Sequence, residues 1–159
     1  MPDQTSSHHL RILVDADACP VKDEIYQVAL RREIAVTLVS NSFLRVPPHR
    51  LIELVIVNDG FDAADDWIAE HAAANTVIIT ADILLAERGL KSGAAALGPN
   101  GKAFTANSIG AAVATRAIMS DLRAGALGQN IGGAAPFSKA DRSRFLSALD
   151  DKLVKLSKG

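Results

Sequence analysis

The stretch ILVDADACPVKDEI, residues 12–25, contains the first strand, turn and helix of this chain. Its first residues belong to an apolar run, residues 10–14, that predicts a short buried strand. Two aspartates, Asp15 and Asp17, follow this strand directly. Pro20 then fits the first turn of a helix. That helix is supported by a period of about 3.6 residues through Ile25, Val28, Ala29 and Arg32.

Apolar runs and helical patterns continue to alternate along the chain. Strands are predicted at 34–39, 54–57, 76–80, 94–97 and 102–105, and helices at 62–74, 82–90, 108–122 and from 138 onward. Residues 42–50 contain two prolines and are predicted to be a loop, as are the glycine-rich residues 125–136. Continuous Val, Ile and Leu character in strands that alternate with helices predicts an α/β fold. Its mostly parallel central sheet should have helices on both faces.

Length and charge are those of a single domain without a strong electrostatic preference. With 159 residues and 48% apolar content, the chain can form one domain with a sizeable core. We place it at 10–159, after a flexible polar tail at 1–9. There are 17 Lys and Arg residues against 18 Asp and Glu, so the total charge does not favour nucleic acid or an anionic membrane. A nucleic-acid role needs a local basic patch.

Cysteine usage and hydropathy favour the cytoplasm. Cys19 is the only cysteine, so it cannot form an internal disulfide, and no zinc-type spacing of Cys and His occurs. No apolar stretch approaches the roughly 20 residues that a membrane helix needs, and no secretory signal pattern begins the sequence. We therefore expect a cytoplasmic protein without a membrane segment or a disulfide-linked partner.

Aspartates follow three of the predicted strands directly. Because the carboxyl ends of parallel strands meet at one edge of a sheet, we expect these carboxylates to converge there. Carboxylates gathered closely repel one another unless a cation compensates, and hard oxygen ligands favour Mg²⁺ or Mn²⁺. The sequence therefore predicts a divalent-metal site whose ligands are Asp15, Asp17, Asp65 and Asp82.

Each aspartate taken singly also has an ordinary structural interpretation. Asp62 and Asp82 stand at predicted helix starts, where a capping aspartate contributes about 1 kcal/mol. Asp65 and Asp66 lie away from the apolar stripe of their helix and are typical of a solvated face. It is the occurrence of acids at three strand ends that favours the metal site.

Two segments offer candidate contacts to a substrate. Asn41 and Ser42 follow the second strand, where they would hold a phosphate, orient a water or cap the loop. Ser138 and Asp141 form an imperfect capping box at the start of the last helix. The basic residues beside it would contact a phosphate backbone or form ion pairs within the protein. The candidate substrate-binding residues are Lys22, Asn41, Ser42, Lys139 and Arg142.

Cys19 is more typical of a structural than of a catalytic residue. A position at a helix N-terminus would lower the pKa of its thiol and suit a nucleophile. However, the Cys-x5-Arg loop of cysteine phosphatases needs arginine at position 25, which is Ile25 here. No histidine stands at a recognisable partner spacing.

Four ordered motifs resemble those of the YaiI/YqxD family of bacterial proteins. They are VDADACPVKDEI (14–25), NDGFDAADDWI (58–68), VIITADILLAERGL (77–90) and GGAAPFSKADRSRF (132–145). Two departures are Leu84 in place of an expected proline, and a looser GGAAPF. The resemblance covers about residues 10–155 and implies a Rossmann-like, PIN-like domain. By analogy with that superfamily it also implies Mg²⁺- or Mn²⁺-dependent cleavage of RNA. The catalytic carboxylates it implies are Asp15, Asp17, Asp62, Asp65, Asp66 and Asp82.

Three functional classes stay open. The leading hypothesis is a metal-dependent phosphodiesterase with RNA as substrate. The second is a phosphatase of the haloacid-dehalogenase type, with Asp15 as nucleophile and Asp17 as acid and base. Ser40, together with Asp65 or Asp66, would complete its site. The third is a module that binds RNA or protein, in which a metal serves structure alone.

Overall fold

The computed structural model describes residues 10–58, 63–111 and 138–158, and within them strands and helices alternate. The strands are β1 (Arg11–Asp15), β2 (Ala35–Ser40), β3 (Ile52–Ile56), β4 (Thr76–Ile79) and β5 (Ala95–Leu97). The helices are α1 (Lys22–Arg32), α2 (Ala63–His71), α3 (Ile83–Lys91) and α4 (Lys139–Lys158). A 3-10 turn, Ala16–Ala18, joins β1 to α1, and residues 106–111 are also helical.

The five strands form one parallel sheet in the order β3-β2-β1-β4-β5. The chain moves outward from the central β1 through β2 to β3, and then crosses to β4 on the other side of β1. Since the winding direction reverses between β1 and β4, a crevice opens at their carboxyl ends, where ligands bind in open α/β sheets. The α/β prediction is confirmed, and the strand order is Rossmann-like.

Helices cover both faces of the sheet, as predicted. Consecutive strand residues point to opposite faces, so that β1 sends Ile12 and Val14 to one core and Leu13 to the other. The core of the first face lies under α1 and α4 and includes Ile25, Val28, Phe145, Leu149 and Leu153. The core of the second face lies under α2 and α3 and includes Ala64, Ile68, Ile78, Leu85 and Ala86.

A loop replaces a crossover helix between the parallel strands β2 and β3. The predicted loop at 42–50 is confirmed. Its partly buried Leu44 and Val46 pack against the core under α1 and α4, so this segment covers the sheet where a helix is absent. We call residues 41–51 the β2–β3 loop.

Several predicted boundaries differ from the structure. Pro20 precedes α1, which begins at Lys22, because the 3-10 turn after β1 takes up the intervening residues. The strand predicted at 102–105 is wrong. Only Ala103 forms an isolated antiparallel bridge, to Leu97, because the turn at 98–101 reverses the chain. Gly101 has φ +86° in that turn and a Cβ there would lie 3.1 Å from the Arg144 carbonyl oxygen.

Some predictions fall partly or wholly outside the described residues. They are the tail at 1–9, the glycine-rich loop at 125–136 and the helix at 108–122 beyond residue 111. Among the described helices, none is long and apolar enough to cross a membrane. Cys19, the chain's single cysteine, is free and buried.

Candidate functional site

A cleft of about 410 Å³ opens between the carboxyl ends of β1 and β4. It lies at the reversal of winding direction, so the strand order alone would place a ligand there. Its polar lining comes mainly from the residues that follow the two strands. The lining residues are Asp15, Cys19, Ile79, Thr80, Ala81, Asp82, Ile83 and Pro99.

Asp15 is the partly buried carboxylate of this cleft. The hydroxyl of Thr80 donates a hydrogen bond of 2.9 Å to Oδ2 of Asp15. Burial raises the pKa of Asp15 above its ordinary value, the Thr80 hydrogen bond lowers it, and the negative charges of Asp17 and Asp82 raise it further. Acids from the turn after β1 and from the N-cap of α3 therefore act electrostatically on one carboxyl group.

Asp17 is exposed and is held by the end of β2. The Ser40 hydroxyl lies 2.7 Å from Oδ1 of Asp17, and the Asn41 N–H donates to both carboxylate oxygens over 3.3 and 3.2 Å. The same Ser40 hydroxyl lies 2.7 Å from the carbonyl oxygen of Ser42. A hydroxyl has a single hydrogen, so it donates to Asp17 or to Ser42 but not to both at once.

Asp82 is the N-cap of α3 and also part of the acidic group. Its Oδ1 accepts hydrogen bonds from the N–H groups of Leu84 and Leu85, over 2.9 and 3.3 Å. Its own N–H donates to the Thr80 hydroxyl over 2.9 Å. The capping interpretation is therefore confirmed, yet its charge still acts on Asp15. One residue serves the helix and the cleft together.

The acids of the middle motif are less closely associated with the cleft. Asp66 forms an ion pair of 2.9 Å with Arg88, which joins α2 to α3 on the surface. Asp65 is partly buried in the first turn of α2, and Asp62 lies outside the described residues. Across residues 10–58, 63–111 and 138–158, no three His, Cys, Asp or Glu side chains are placed to hold a metal ion.

Two of the predicted substrate-binding cations contact the protein itself. Lys22 donates to the carbonyl oxygen of Cys19 over 2.9 Å and lies 3.4 Å from that of Ala16, which supports the turn after β1. Arg142 donates to the carbonyl oxygen of Pro20 over 2.8 Å and pairs with Glu24 at 3.3 Å. Both therefore have structural functions.

Ser138 and Asp141 form a reciprocal capping box at the start of α4. The N–H of Ser138 donates to Asp141, and the N–H of Asp141 donates to the Ser138 hydroxyl. This local prediction is confirmed. Lys139, which follows, is exposed, as expected for a residue available to a ligand.

Cys19 lines the cleft but is not activated by its position. Burial is the largest influence on its thiol and raises its pKa, while the Val21 backbone hydrogen bond and the charge of Lys22 lower it less. The pKa decrease considered from the helix N-terminus is therefore wrong, because α1 begins three residues later. The structure favours a structural Cys19.

Thr80 is the residue that sequence reasoning missed. It bridges Asp15 and Asp82 by donating to one and accepting from the N–H of the other. The available signal was its place directly after β4 and two residues before Asp82. Ser40 was noticed only for a phosphatase, whereas here it orients Asp17.

Comparisons with known proteins identify relatives along nearly the whole chain. A family model described as "Uncharacterized BCR, YaiI/YqxD family" matches residues 13–155. A "UPF0178 protein" of Sphingopyxis alaskensis is 67% identical over 148 residues, which cover 93% of this chain and 96% of the relative. Another of the same name, from Jannaschia sp., is 59% identical over 156 residues, which cover 98% and 99%. No solved structure gives a significant match.

Proposed function

The chain belongs to the YaiI/YqxD family, and we propose that it is a Mg²⁺- or Mn²⁺-dependent phosphodiesterase that cleaves RNA. The observation that supports this proposal is that Asp15 and Asp82 line one cleft between the carboxyl ends of β1 and β4, with Asp17 two residues from Asp15. Burial raises the pKa of Asp15 most and the neighbouring acids raise it further, and a bound cation would offset both effects.

Asp15 and Asp82 in the cleft, with Asp17 close by in the chain, offer the carboxylate oxygens that such a cation prefers. Mg²⁺ is typically bound through one or two carboxylates, with waters and substrate phosphates as its other ligands, so three protein ligands are not required. Asp15 and Asp17 are the proposed ligands, and Asp82 adds negative charge. When bound, the ion would activate a water and neutralise charge developing on the phosphate.

The surrounding residues orient these carboxylates. Thr80 holds Oδ2 of Asp15, while Ser40 and Asn41 hold Asp17, so each acid keeps a fixed direction before substrate arrives. In this proposal Asp65 contributes from the first turn of α2, while Asp62 lies outside the described residues. Lys139 is an exposed cation available for the RNA backbone. A single free cysteine is compatible with the reducing cytoplasm, where we place the activity.

Cleavage of labelled RNA tests the proposal directly. Single-stranded and hairpin RNA are incubated with the protein in Mg²⁺, in Mn²⁺ and in EDTA, and products are separated on a gel. We expect metal-dependent cleavage that falls about 100-fold or more in Asp15→Asn, Asp17→Asn and Asp82→Asn. Asparagine is as good an N-cap as aspartate, so the last variant removes the charge and keeps α3 capped.

The matched control is Asp151→Asn, which removes an exposed acid of α4. It should cleave at the wild-type rate. Equal rates in the wild-type and Asp15→Asn proteins would show that the cleavage comes from elsewhere and would refute the proposal. If Mn²⁺ raises the melting temperature but no RNA is cleaved, the protein is a binding module in which the metal serves structure.

A phosphatase of the haloacid-dehalogenase type is the second candidate. It is favoured by the hydroxyl of Ser40, which stands at the end of β2 beside Asp17, since such enzymes place Ser or Thr there. The hydrogen bonds of Ser40 and Asn41 to Asp17 fit either candidate, so they do not distinguish the phosphatase from the phosphodiesterase. Release of phosphate from p-nitrophenyl phosphate, with a phosphoryl group trapped on Asp15 and no RNA cleavage, would support this candidate.

A further inference from the structure

Two arginines of the β2–β3 loop differ from the other described arginines. Arg45 and Arg50 are exposed, and within the described residues neither forms a hydrogen bond or an ion pair through its side chain. Each of the others contacts a carboxylate, a hydroxyl or a backbone carbonyl group; they are Arg11, Arg31, Arg32, Arg88, Arg142 and Arg144. Within the described residues, the arginines whose side chains have no internal partner therefore both lie in one loop.

The same loop carries an aromatic ring that projects into solvent. Phe43 is 74% exposed, which is more than any other large apolar residue in the described part of the chain. Leu44 and Val46 pack inward against the core, so their neighbours Phe43 and Arg45 point outward, two residues apart. Because the inward residues fix this orientation, the ring cannot turn into the protein without unpacking them.

The loop begins at the acids of the proposed site. Asn41 and Ser40 hold Asp17, and the carbonyl oxygen of Ser42 lies 2.7 Å from the Ser40 hydroxyl. Phe43 is the next residue. The loop ends at the amino end of the strands, where the N–H of Val36 donates to the carbonyl oxygen of Leu51. It thus extends about 17 Å along β2 at roughly 3.3 Å per residue.

We propose that the outer side of the β2–β3 loop binds single-stranded RNA, with a base stacked on Phe43 and phosphates contacted by Arg45 and Arg50. The proposal rests on the proposed function in that the bound strand is the substrate of the carboxylates at the start of the loop. Only an unpaired base exposes a face to a ring, which favours single strands over duplexes. Unpaired arginines supply the charge that phosphate binding needs.

Binding is measured without metal, so that its outcome does not depend on cleavage. A fluorescently labelled oligouridylate of about twelve nucleotides is titrated in EDTA, and anisotropy gives its affinity. Phe43→Ala should bind roughly 5- to 100-fold more weakly, as expected for the loss of one stacked base, and Phe43→Trp should restore binding. Arg45→Ala and Arg50→Ala should each flatten the dependence of log K on log salt concentration by about 0.7.

Two controls distinguish base stacking on Phe43 from nonspecific binding. Lys91→Ala removes an exposed charge at the end of α3, which packs beside the edge strand β5 on the side of the sheet away from β2 and β3, and should leave binding unchanged. An abasic oligonucleotide of the same length has no base to stack, so the wild-type and Phe43→Ala proteins should bind it equally. If Phe43→Ala still lowers its affinity, the ring does not stack a base and the proposal is wrong.

The remaining outcomes distinguish this proposal from the phosphodiesterase itself. If the loop variants bind and cleave RNA as the wild type does, the loop proposal is refuted and the phosphodiesterase proposal is supported. If binding depends on the loop but Mn²⁺ gives no cleavage, the loop proposal is supported and the phosphodiesterase proposal is refuted. If Phe43→Ala converts a dimer to a monomer in sedimentation experiments and leaves RNA affinity unchanged, the loop is a contact between copies and our proposal is refuted.

Discussion

The hydroxyl of Thr80, at the end of β4, donates a 2.9 Å hydrogen bond to the carboxylate of Asp15, at the end of β1. The two residues stand 65 positions apart in the sequence and meet because β1 and β4 are neighbours in the sheet. This bond opposes the effects of burial and of the neighbouring acids on the pKa of Asp15. The balance determines at what pH the carboxylate is ionised.

Removal of the Thr80 hydroxyl should move the pH dependence of RNA cleavage. Thr80→Val deletes the donor that lowers the pKa of Asp15, so Asp15 will ionise only at a higher pH. If ionised Asp15 is required, the rising acidic limb of the kcat/KM profile moves to higher pH, while Thr80→Ser keeps the wild-type limb. A Thr80→Val profile that is lowered uniformly without this displacement would mean that Thr80 acts only on structure.

Neutralising Asp15 should stabilise the metal-free protein. Its pKa is raised from 3.8 in the folded state, so the folded state binds the proton more tightly than the unfolded state. Stability therefore falls as pH rises from about that value through the folded-state pKa, and ionised Asp15 is a cost at neutral pH. We expect Asp15→Asn, which can still accept from Thr80, to melt at higher temperature than the wild type at pH 7.

Melting curves in EDTA from pH 3 to pH 8 test this expectation. Each kcal/mol of stabilisation raises the melting temperature by about 2–4 °C in a protein of this size. The difference between the two proteins should be small at the acidic end and grow as pH increases. A variant that is less stable than the wild type throughout would show that the Asp15 charge is already compensated inside the protein.

The ion pair of Asp66 with Arg88 predicts that Asp66 is dispensable for RNA cleavage. Because both side chains are about half exposed, their pairing contributes no more than about 1 kcal/mol, and the 2.9 Å contact directs the carboxylate toward α3. Asp66→Asn should cleave RNA within about twofold of the wild-type rate and lower the melting temperature slightly. A loss comparable to that of Asp17→Asn would return Asp66 to the catalytic group.

Cys19 should react slowly with thiol reagents. Burial raises the pKa of its thiol, so the thiolate is scarce at neutral pH and the sulfur is shielded. We expect slow labelling by Ellman's reagent in the native protein, fast labelling in guanidinium chloride, and RNA cleavage by Cys19→Ala at close to the wild-type rate. Rapid native labelling with loss of cleavage would indicate that the thiol has a catalytic function.

The strands were predictable because buried parallel strands are continuous apolar runs rich in Val, Ile and Leu. The location of Asp15, Asp17 and Asp82 at one edge followed from the same pattern, since the carboxyl ends of parallel strands share that edge. The sequence does not contain the strand order, however. The meeting of Asp15 with Thr80 depends on where the chain crosses back, which no local pattern records.

Side-chain partners distant in sequence were the other unpredictable part. Arg142 was a candidate for phosphate, but its contacts include Pro20 and Glu24, residues more than a hundred positions away. In the β2–β3 loop, the two prolines correctly excluded a helix and an interior strand. The alternation of Phe43, Leu44, Arg45 and Val46 in the same loop indicates which of its sides faces solvent.

The single hydrogen of the Ser40 hydroxyl makes the state of Asp17 and the start of the β2–β3 loop mutually dependent. A cation on Asp17 would weaken that carboxylate as an acceptor and favour donation to the Ser42 carbonyl oxygen instead, which tightens the backbone beside Phe43. By reciprocity, whatever orders that backbone raises the affinity of Asp17 for the cation. Metal and nucleic acid would then bind cooperatively, because the Ser40 hydroxyl hydrogen is donated either to Asp17 or to the Ser42 carbonyl oxygen.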